Sequence, residues 1–260
     1  MESPAGSDDE GEMPYKKQRY SSKGKMGFSA QEREWREQGD KTLESGWAVM
    51  KRNDWCLEDT SSIGDTVQSL TLAGSRKAYR ITGWINASPR KICEELFYNS
   101  EEIPKWNLSV RSCHVVEIVD EFTDIGHHVA SDGGAGLIKT RDFVTLRRWA
   151  VKEGSYVIAS SSVSHPQMPP LPNFVRGEIL LSVMSLTASE GGEPGAVFSW
   201  ALATDLKGWI PGKLWARFQT FEQEAKVSIS GIGIIEKGRR ETEKYITSGL
   251  DLHYISIAAL

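Results

Sequence analysis

The sequence predicts an α+β fold in which a long antiparallel sheet is covered by helices. Three observations support this prediction. A helix with a complete N-terminal cap begins near residue 29, a second helix follows two short strands, and from residue 110 onward the pattern is that of strands separated by turns. Because a sheet of that size must bury one face, we expect a further helix near the C-terminus to cover it.

Length and composition favour one globular domain. The chain has 260 residues, enough for a single domain of about 200 residues with flanking segments. Apolar residues make up 39% and charged residues 25%, as in folded globular proteins. The longest nearly apolar stretch, 179–186, is far shorter than the roughly 20 residues that cross a bilayer. A net charge of −4 argues against nucleic acid as a partner.

Residues 1–27 are polar, with an acidic run followed by a basic run that includes Lys16, Lys17 and Arg19. With so few aliphatic side chains, this segment is predicted to be a disordered polar tail. Its basic run could also contact an anionic membrane or serve as a nuclear signal. The N-terminus has no apolar region typical of a signal peptide, and the three cysteines lack Cys-x-x-Cys spacing. We therefore expect free thiols and a cytoplasmic location.

Two helices are marked by their caps. Ser29 and Glu32 form a capping box, which predicts a helix from there to about residue 51. Its candidate buried positions are Trp35, Leu43, Trp47 and Met50. Strands are predicted at 67–72 and 77–85 by the alternation of apolar residues. Ser88 and Pro89 supply an N-cap and a proline at the first helical position, so a second helix is predicted to run to about residue 99.

The rest of the predicted sheet follows from residue 110. Alternating apolar residues between turn signals predict strands at 110–118, 122–130, 143–152, 155–163, 177–186 and 196–205. Sequence motifs of phosphate-binding loops, dinucleotide-binding folds, zinc proteases and α/β-hydrolases are absent from the 260 residues. His127 and His128 are adjacent on a predicted strand and would point to opposite faces, so they do not predict a metal site. A non-enzymatic binding protein without a cofactor is favoured over an enzyme.

Six short motifs occur in an order that resembles START domains, the lipid-transfer domains related to the steroidogenic acute regulatory protein. The motifs are Phe-Ser-Ala-Gln-Glu-Arg-Glu at 28–34, Gly-Asp-Thr-Val at 64–67, Trp-Asn at 106–107, Arg-Asp-Phe-Val at 141–144, Val-Arg-Gly-Glu at 175–178 and Thr-Asp-Leu-Lys-Gly-Trp at 204–209. Each motif is weak alone, but six in register are specific. The branch they resemble also includes a late-endosomal, membrane-anchored START protein, whose membrane region has no counterpart here, and the silkworm carotenoid-binding protein.

The resemblance implies a helix-grip fold: a curved antiparallel sheet around a C-terminal helix, enclosing a lipid tunnel. It also implies a monomer that carries one hydrophobic lipid, contacts membranes transiently and uses no covalent chemistry. The START-like domain is expected to span residues 28–226. Residues 227–260 form an atypical tail without likeness to the family, and whether residues 212–260 supply the covering helix stays open.

The resemblance further assigns Arg147 as a cavity arginine whose carboxylate partner lies on the preceding strand. The corresponding position here is His128, which is not an acid. Asp124 lies four residues earlier on the same strand face, about 13 Å away. A buried arginine keeps its charge and needs a partner, so we predict that Asp124, alone or with His128, neutralises Arg147. This pairing would move the polar position along the tunnel.

Other predicted lipid contacts follow from strand alternation and from the resemblance. Alternation places Phe143 and Thr145 on the face of Arg147. A second set of wall residues comprises Phe198, Trp200 and Leu202. The tunnel is predicted to be closed by a lid loop containing Gly133, Gly134, Leu137 and Ile138. The sequence leaves three functions open: a sterol carrier, a carotenoid carrier and a lipid-sensing interaction module.

Overall fold

The computed structural model describes residues 15–23, 27–61, 64–74, 76–107, 109–131, 139–189 and 195–208. The helices are α1 (Tyr15–Lys23), α2 (Ala30–Met50), α3 (Pro89–Tyr98) and a 3₁₀ helix (Ser100–Lys105). The strands are β1 (Cys56–Thr60), β2 (Thr66–Leu72), β3 (Arg76–Ile85), β4 (Val110–Asp120), β5 (Thr123–Ala130), β6 (Arg141–Lys152), β7 (Ser155–Ser162), β8 (Val175–Arg176), β9 (Glu178–Ala188) and β10 (Ala196–Asp205).

The strands of the described residues form one sheet in the order β1-β2-β3-β10-β9-β7-β6-β5-β4. All neighbours in this order are antiparallel, and the short β8 adds a parallel pairing to the start of β6. Strands β4 to β7 follow one another as a meander, whereas β10 returns to pair with β3. This return joins the two halves of the chain into one sheet.

The two predicted helix starts are present. Ser29 accepts a hydrogen bond from the backbone N–H of Glu32, and the Glu32 side chain accepts one from the N–H of Ser29, so the capping box is complete. Ser88 caps α3 through the N–H of Lys91. Such caps satisfy N–H groups that have no partner inside the helix.

The helices cover both faces of the sheet. One face, which we call the α3 face, packs against α3 through β7 and β9, and its buried residues include Ile158, Met184, Phe198 and Trp200. The opposite face, the α2 face, packs against α2. Its buried residues include Val144, Leu146, Val157, Val183 and Ala201. Because successive strand residues point to opposite sides, one strand supplies both layers: Phe143 belongs to the α3 face and Val144 to the α2 face.

The predicted disordered tail is wrong for residues 15–23, which form α1. Tyr20 on this helix is 2% exposed, and its ring lies 5.5 Å from that of Phe97 and 4.9 Å from that of Tyr98. The low aliphatic content of the segment is compensated by this one buried aromatic residue and by ion pairs to the domain. Strand β1, at one edge of the sheet, is also additional to the predicted elements. Among the described helices, none is both long and apolar enough to cross a membrane.

Candidate functional site

A buried ion pair between β5 and β6 lies on the α3 face, toward the β4 edge of the sheet. Arg147 is 2% exposed and Asp124 is fully buried. The two residues are opposite each other in the strand register. Arg147 Nε donates to Asp124 Oδ1 at 2.8 Å, and Nη2 donates to Oδ2 at 2.6 Å. The structure thus contains the predicted pairing of Arg147 with Asp124.

The other donors of Arg147 hold the end of α3 and the 3₁₀ helix. Nη2 also donates to the carbonyl oxygen of Phe97 and to Ser100 Oγ, both at 3.0 Å. Nη1 donates to the carbonyl oxygen of Leu96 at 3.2 Å. Nη1 carries two N–H groups. Within the described ranges the second of them meets no acceptor, so the guanidinium retains a donor for a further group.

Helix α1 adds a third side chain to the pair. The hydroxyl of Tyr20 donates to Asp124 Oδ2 at 2.6 Å. Burial and the nearby Asp124 carboxylate raise the pKa of Tyr20, so this hydroxyl stays a neutral donor. Burial acts to lower the pKa of Arg147, but Asp124 outweighs burial and the pKa is raised. The cluster therefore holds one cation and one carboxylate, both buried in the protein interior.

His128 does not take part in neutralising Arg147, which corrects that part of the prediction. Its Nδ1 lies 3.2 Å from Cys113 Sγ and its Nε2 lies 3.2 Å from Thr145 Oγ1. Burial, followed by the positive charge of Arg147, holds the pKa of His128 well below its usual value, so the ring is neutral. The ring lies over Gly126, where an added Cβ would come within 2.9 Å of Nε2. His128 thus fills space on the sheet and carries no charge.

Two serines on neighbouring strands add buried hydroxyl groups beside Arg147. Ser160 is opposite Arg147 on β7, and Ser182 is opposite Ser160 on β9. Both are buried, and Ser182 Oγ accepts a hydrogen bond from Trp200 Nε1 at 3.1 Å. Together with Leu96, Ile158 and Met184, these serines and Arg147 line a cavity of about 10 Å³. Such a cavity has room for about one water molecule or one ligand hydroxyl.

The predicted wall residues surround this polar position. The side chains concerned are buried and belong to the α3 face: Phe143, Thr145, Phe198, Trp200 and Leu202. Contact of these residues with a lipid stays a prediction. The lid residues Gly133, Gly134, Leu137 and Ile138, the covering helix and the domain limit at residue 226 lie outside the described residues.

A second polar cluster lies on the α2 face and ties strands together. His127 Nε2 is 2.9 Å from Asp142 Oδ2, and Arg176 donates to both oxygens of Asp142 at 3.1 and 2.8 Å. Burial acts to raise the pKa of Asp142, but the hydrogen bonds from Arg176 and His127 outweigh it and the pKa is lowered. His127 and His128 point to opposite faces, as predicted. In the part of the chain that the structure describes, no three His, Cys, Asp or Glu side chains are grouped as a metal site.

Three residues of the site were missed by the sequence reasoning: Tyr20, Ser160 and Ser182. Lys16, Lys17 and Tyr20 have the spacing of one helical face, which was a signal for a short docked helix. The serines stand at alternating positions within apolar strands, on the same side as their buried neighbours. Their location opposite Arg147 depends on strand pairing, which the sequence pattern leaves undetermined.

Comparison with curated proteins places this architecture in a family. The sequence profile of the START domain matches residues 44–220. The steroidogenic acute regulatory protein of Danio rerio is 28% identical over 176 residues, which cover 67% of this chain and 62% of that protein. That of Gallus gallus is 29% identical over 185 residues, covering 71% and 66%. The chain thus spans somewhat less than two thirds of the length of these relatives.

Solved structures show the same fold. Human StAR-related lipid transfer protein 5 superposes with a TM-score of 0.69 at 16% identity, covering 83% of this chain and 99% of that one. Human STARD10 superposes with a TM-score of 0.64 at 19% identity, covering 80% and 83%. The curved antiparallel sheet with its helices is therefore the helix-grip α+β fold. The chain belongs to the START domain family of lipid-transfer proteins.

Proposed function

We propose that this protein is a non-enzymatic carrier that binds one sterol-like lipid on the α3 face and moves it between membranes. The observation that carries the proposal is a fully buried Arg147–Asp124 pair, with a spare N–H, on the same sheet face as a large cluster of buried apolar side chains. Lipid-transfer relatives share the fold, and the relatives in sequence are named for steroidogenesis. A sterol matches this wall because it is rigid and apolar with a single hydroxyl.

Arg147 would orient the ligand and the apolar wall would supply the binding energy. The spare N–H on Nη1 and the hydroxyls of Ser160 and Ser182 provide donors and acceptors for one hydroxyl, directly or through one water. Burial of apolar surface contributes about 25 cal/mol per Å². Because the hydroxyl is paired at only one place, the site should distinguish one end of the lipid from the other. Catalysis is not part of the proposal, since the pair offers a fixed charge and a donor but no activated nucleophile.

The test compares two ligands and two variants. Arg147→Leu should weaken binding of cholesterol by about tenfold, because a hydrogen bond to a charged donor contributes roughly 1.5 kcal/mol or more. Binding of cholestane, which lacks the hydroxyl, should change much less. Arg148→Leu is the matched control, since Arg148 lies on the α2 face and pairs with Asp40 at 2.7 Å. Equal losses for both ligands would show that Arg147 acts by packing alone.

The carrier role itself is tested with vesicles and mass spectrometry. Lipids that co-purify with the folded protein should include one sterol per chain, and the protein should move that sterol between liposomes faster than spontaneous exchange. No acceleration by correctly folded protein would refute the carrier role. Retention of the lipid with altered affinity for a protein partner would favour the sensing module.

A carotenoid is the second candidate ligand. The observation that favours it is the location of the polar position: the carboxylate is at Asp124, whereas the family resemblance places it at residue 128, about 13 Å along the strand. A carboxylate at a different point along the strand would place the ligand hydroxyl at a different distance from the tunnel end, which suits a ligand of different length. A coloured preparation with carotenoid in the mass spectrum would decide for this ligand over a sterol.

A further inference from the structure

Helix α1 is attached to the domain by charges that an anionic surface could replace. Lys16 Nζ lies 2.9 Å from Glu102 Oε1, and Lys17 Nζ lies 2.7 Å from Glu94 Oε1. Arg19 Nη1 lies 4.0 Å from the carboxylate of Glu101. The three glutamates belong to α3 and the 3₁₀ helix, and we call them the acidic seat.

The glutamates of the acidic seat keep other hydrogen-bond or ion-pair partners when α1 detaches. Glu94 Oε1 also accepts from Arg90 Nε at 3.1 Å, and Glu102 also pairs with Lys105. Glu101 Oε1 accepts from the backbone N–H of Val115 at 3.2 Å. Each glutamate of the seat therefore keeps a partner without α1. The three partly exposed ion pairs therefore contribute little each, and the attachment of α1 depends mainly on the buried Tyr20.

Tyr20 connects the seat to the ligand site. Its hydroxyl donates to Asp124 Oδ2 at 2.6 Å, and its ring covers the side of the cluster next to Phe97 and Tyr98. If α1 moves away, Asp124 keeps Arg147 as its partner but loses this donor and becomes accessible to water. Hydration of the pair would weaken its hold on a ligand hydroxyl, because water competes for the same donors.

We propose that α1 is an electrostatic latch that an anionic membrane surface opens. The proposal rests on the proposed lipid-transfer function. An exposed ion pair favours its bound state by about fivefold or less, whereas each Lys or Arg near an anionic leaflet favours membrane binding by about fivefold. Three cations of α1, namely Lys16, Lys17 and Arg19, would face the membrane in exchange for their three pairs on the seat. The membrane thus competes on about even terms for these three charges, and its attraction for α1 must also outweigh the burial of the Tyr20 ring to withdraw it.

The test measures the position of α1 directly and does not depend on the lipid cargo. A donor dye on Gln18→Cys and an acceptor dye on Cys56 report their separation by energy transfer; Gln18 and Cys56 are both exposed, and the other two cysteines are buried. Vesicles with about a third phosphatidylserine should change the energy transfer, and vesicles of phosphatidylcholine alone should not. An unchanged signal with phosphatidylserine, or the same change with both vesicles, would overturn the latch.

Two variants separate the seat from general charge effects. Changing Glu94, Glu101 and Glu102 to Gln should release α1 without vesicles, with about a tenfold rise in the released population. The matched control changes three carboxylates that pair with lysines elsewhere: Glu37, Glu44 and Glu153. The control should behave as the wild type, and an equal effect of both triple variants would refute a role for the seat.

A third variant tests the connection to the cargo. Tyr20→Phe keeps the packed ring but removes the hydrogen bond to Asp124, so α1 should open at a lower phosphatidylserine content. Transfer of the fluorescent sterol dehydroergosterol should become less dependent on phosphatidylserine in the same variant. If dehydroergosterol is not transferred by any variant while energy transfer still changes, the proposed function fails and the latch stands. If transfer occurs but α1 stays in place, the latch fails alone.

Discussion

Replacing Asp124 by asparagine tests the energetics of the buried pair. The substitution keeps the size of the side chain but removes the negative charge and turns one acceptor oxygen into a donor NH₂ group. Asp124 accepts from Arg147 at 2.8 and 2.6 Å and from Tyr20 at 2.6 Å. In either orientation of the amide, one of these donors would face another donor. Arg147 would then be a buried cation with only neutral partners.

The magnitude follows from burial. Removing one partner of a buried ion pair costs about 3–5 kcal/mol, because the remaining charge stays without compensation. Arg147 does not lose its proton to escape this penalty, since an arginine guanidinium stays charged in proteins. A domain of this kind unfolds with a free energy of about 5–15 kcal/mol, so Asp124→Asn should remove a large fraction of the stability. Arg147→Leu should cost less, because the remaining carboxyl can take up a proton.

Urea denaturation of the single and double variants measures these differences. The double variant Asp124→Asn/Arg147→Leu should be more stable than Asp124→Asn alone, since it no longer buries an unpaired charge. Asp40→Asn is the matched control: Asp40 also pairs with an arginine, but its side chain is 59% exposed, and its loss should cost about 1 kcal/mol or less. If Asp124→Asn costs no more than Asp40→Asn, then Arg147 is not held by Asp124 and our reading of the site is wrong.

Two further predictions concern titratable groups. His128 is neutral when folded, and the unfolded chain takes up a proton below about pH 6.5, so stability should fall by about 1.4 kcal/mol for each pH unit below that value. His128→Gln should flatten this slope in urea denaturation at different pH values. Burial raises the pKa of Cys93 to about 12 and that of Cys113 to about 11, so a thiol reagent at pH 8 should modify only the exposed Cys56 rapidly. Rapid modification of three thiols in the folded protein would contradict the buried positions.

The elements that were predicted correctly are those that depend on local chemistry. The starts of two helices were predicted correctly from the capping box at Ser29 and from Ser88-Pro89. A cap is a hydrogen bond between residues three apart in the sequence, so it can be recognised locally. From residue 110 the predicted strands lie within a few residues of the observed ones, because alternation and turn residues are also local. Asp124 and Arg147 could be paired in advance since a buried arginine needs a carboxylate.

The features that were missed depend on contacts between distant parts of the chain. Tyr20 is separated by 104 residues from Asp124, and no local pattern shows that they meet. The composition of residues 15–23 indicated too little apolar surface for them to fold. Their helix is stabilised by its contacts with α3 and with Asp124 of β5. The involvement of His128 was overestimated because its neutral state follows from burial between Cys113 and Thr145, which requires the strand register.

The location of the ion pair within the strands sets the length of the ligand that the wall can hold. Arg147 lies six residues beyond Arg141, where β6 begins, which corresponds to about 20 Å of strand. A hydroxyl held at Arg147 would therefore leave about 20 Å of strand for the apolar body of the proposed lipid, ending near the start of β6. Under the proposed function, a rigid lipid of that length would contact this strand over its whole body, whereas a longer one would extend past Ala130 and Arg141. The guanidinium is held by Asp124, directly opposite on β5, and by the carbonyl oxygen of Phe97 in α3. The proposed site would therefore distinguish a sterol from a carotenoid mainly by the length of the lipid beyond its hydroxyl, and less by the hydroxyl itself.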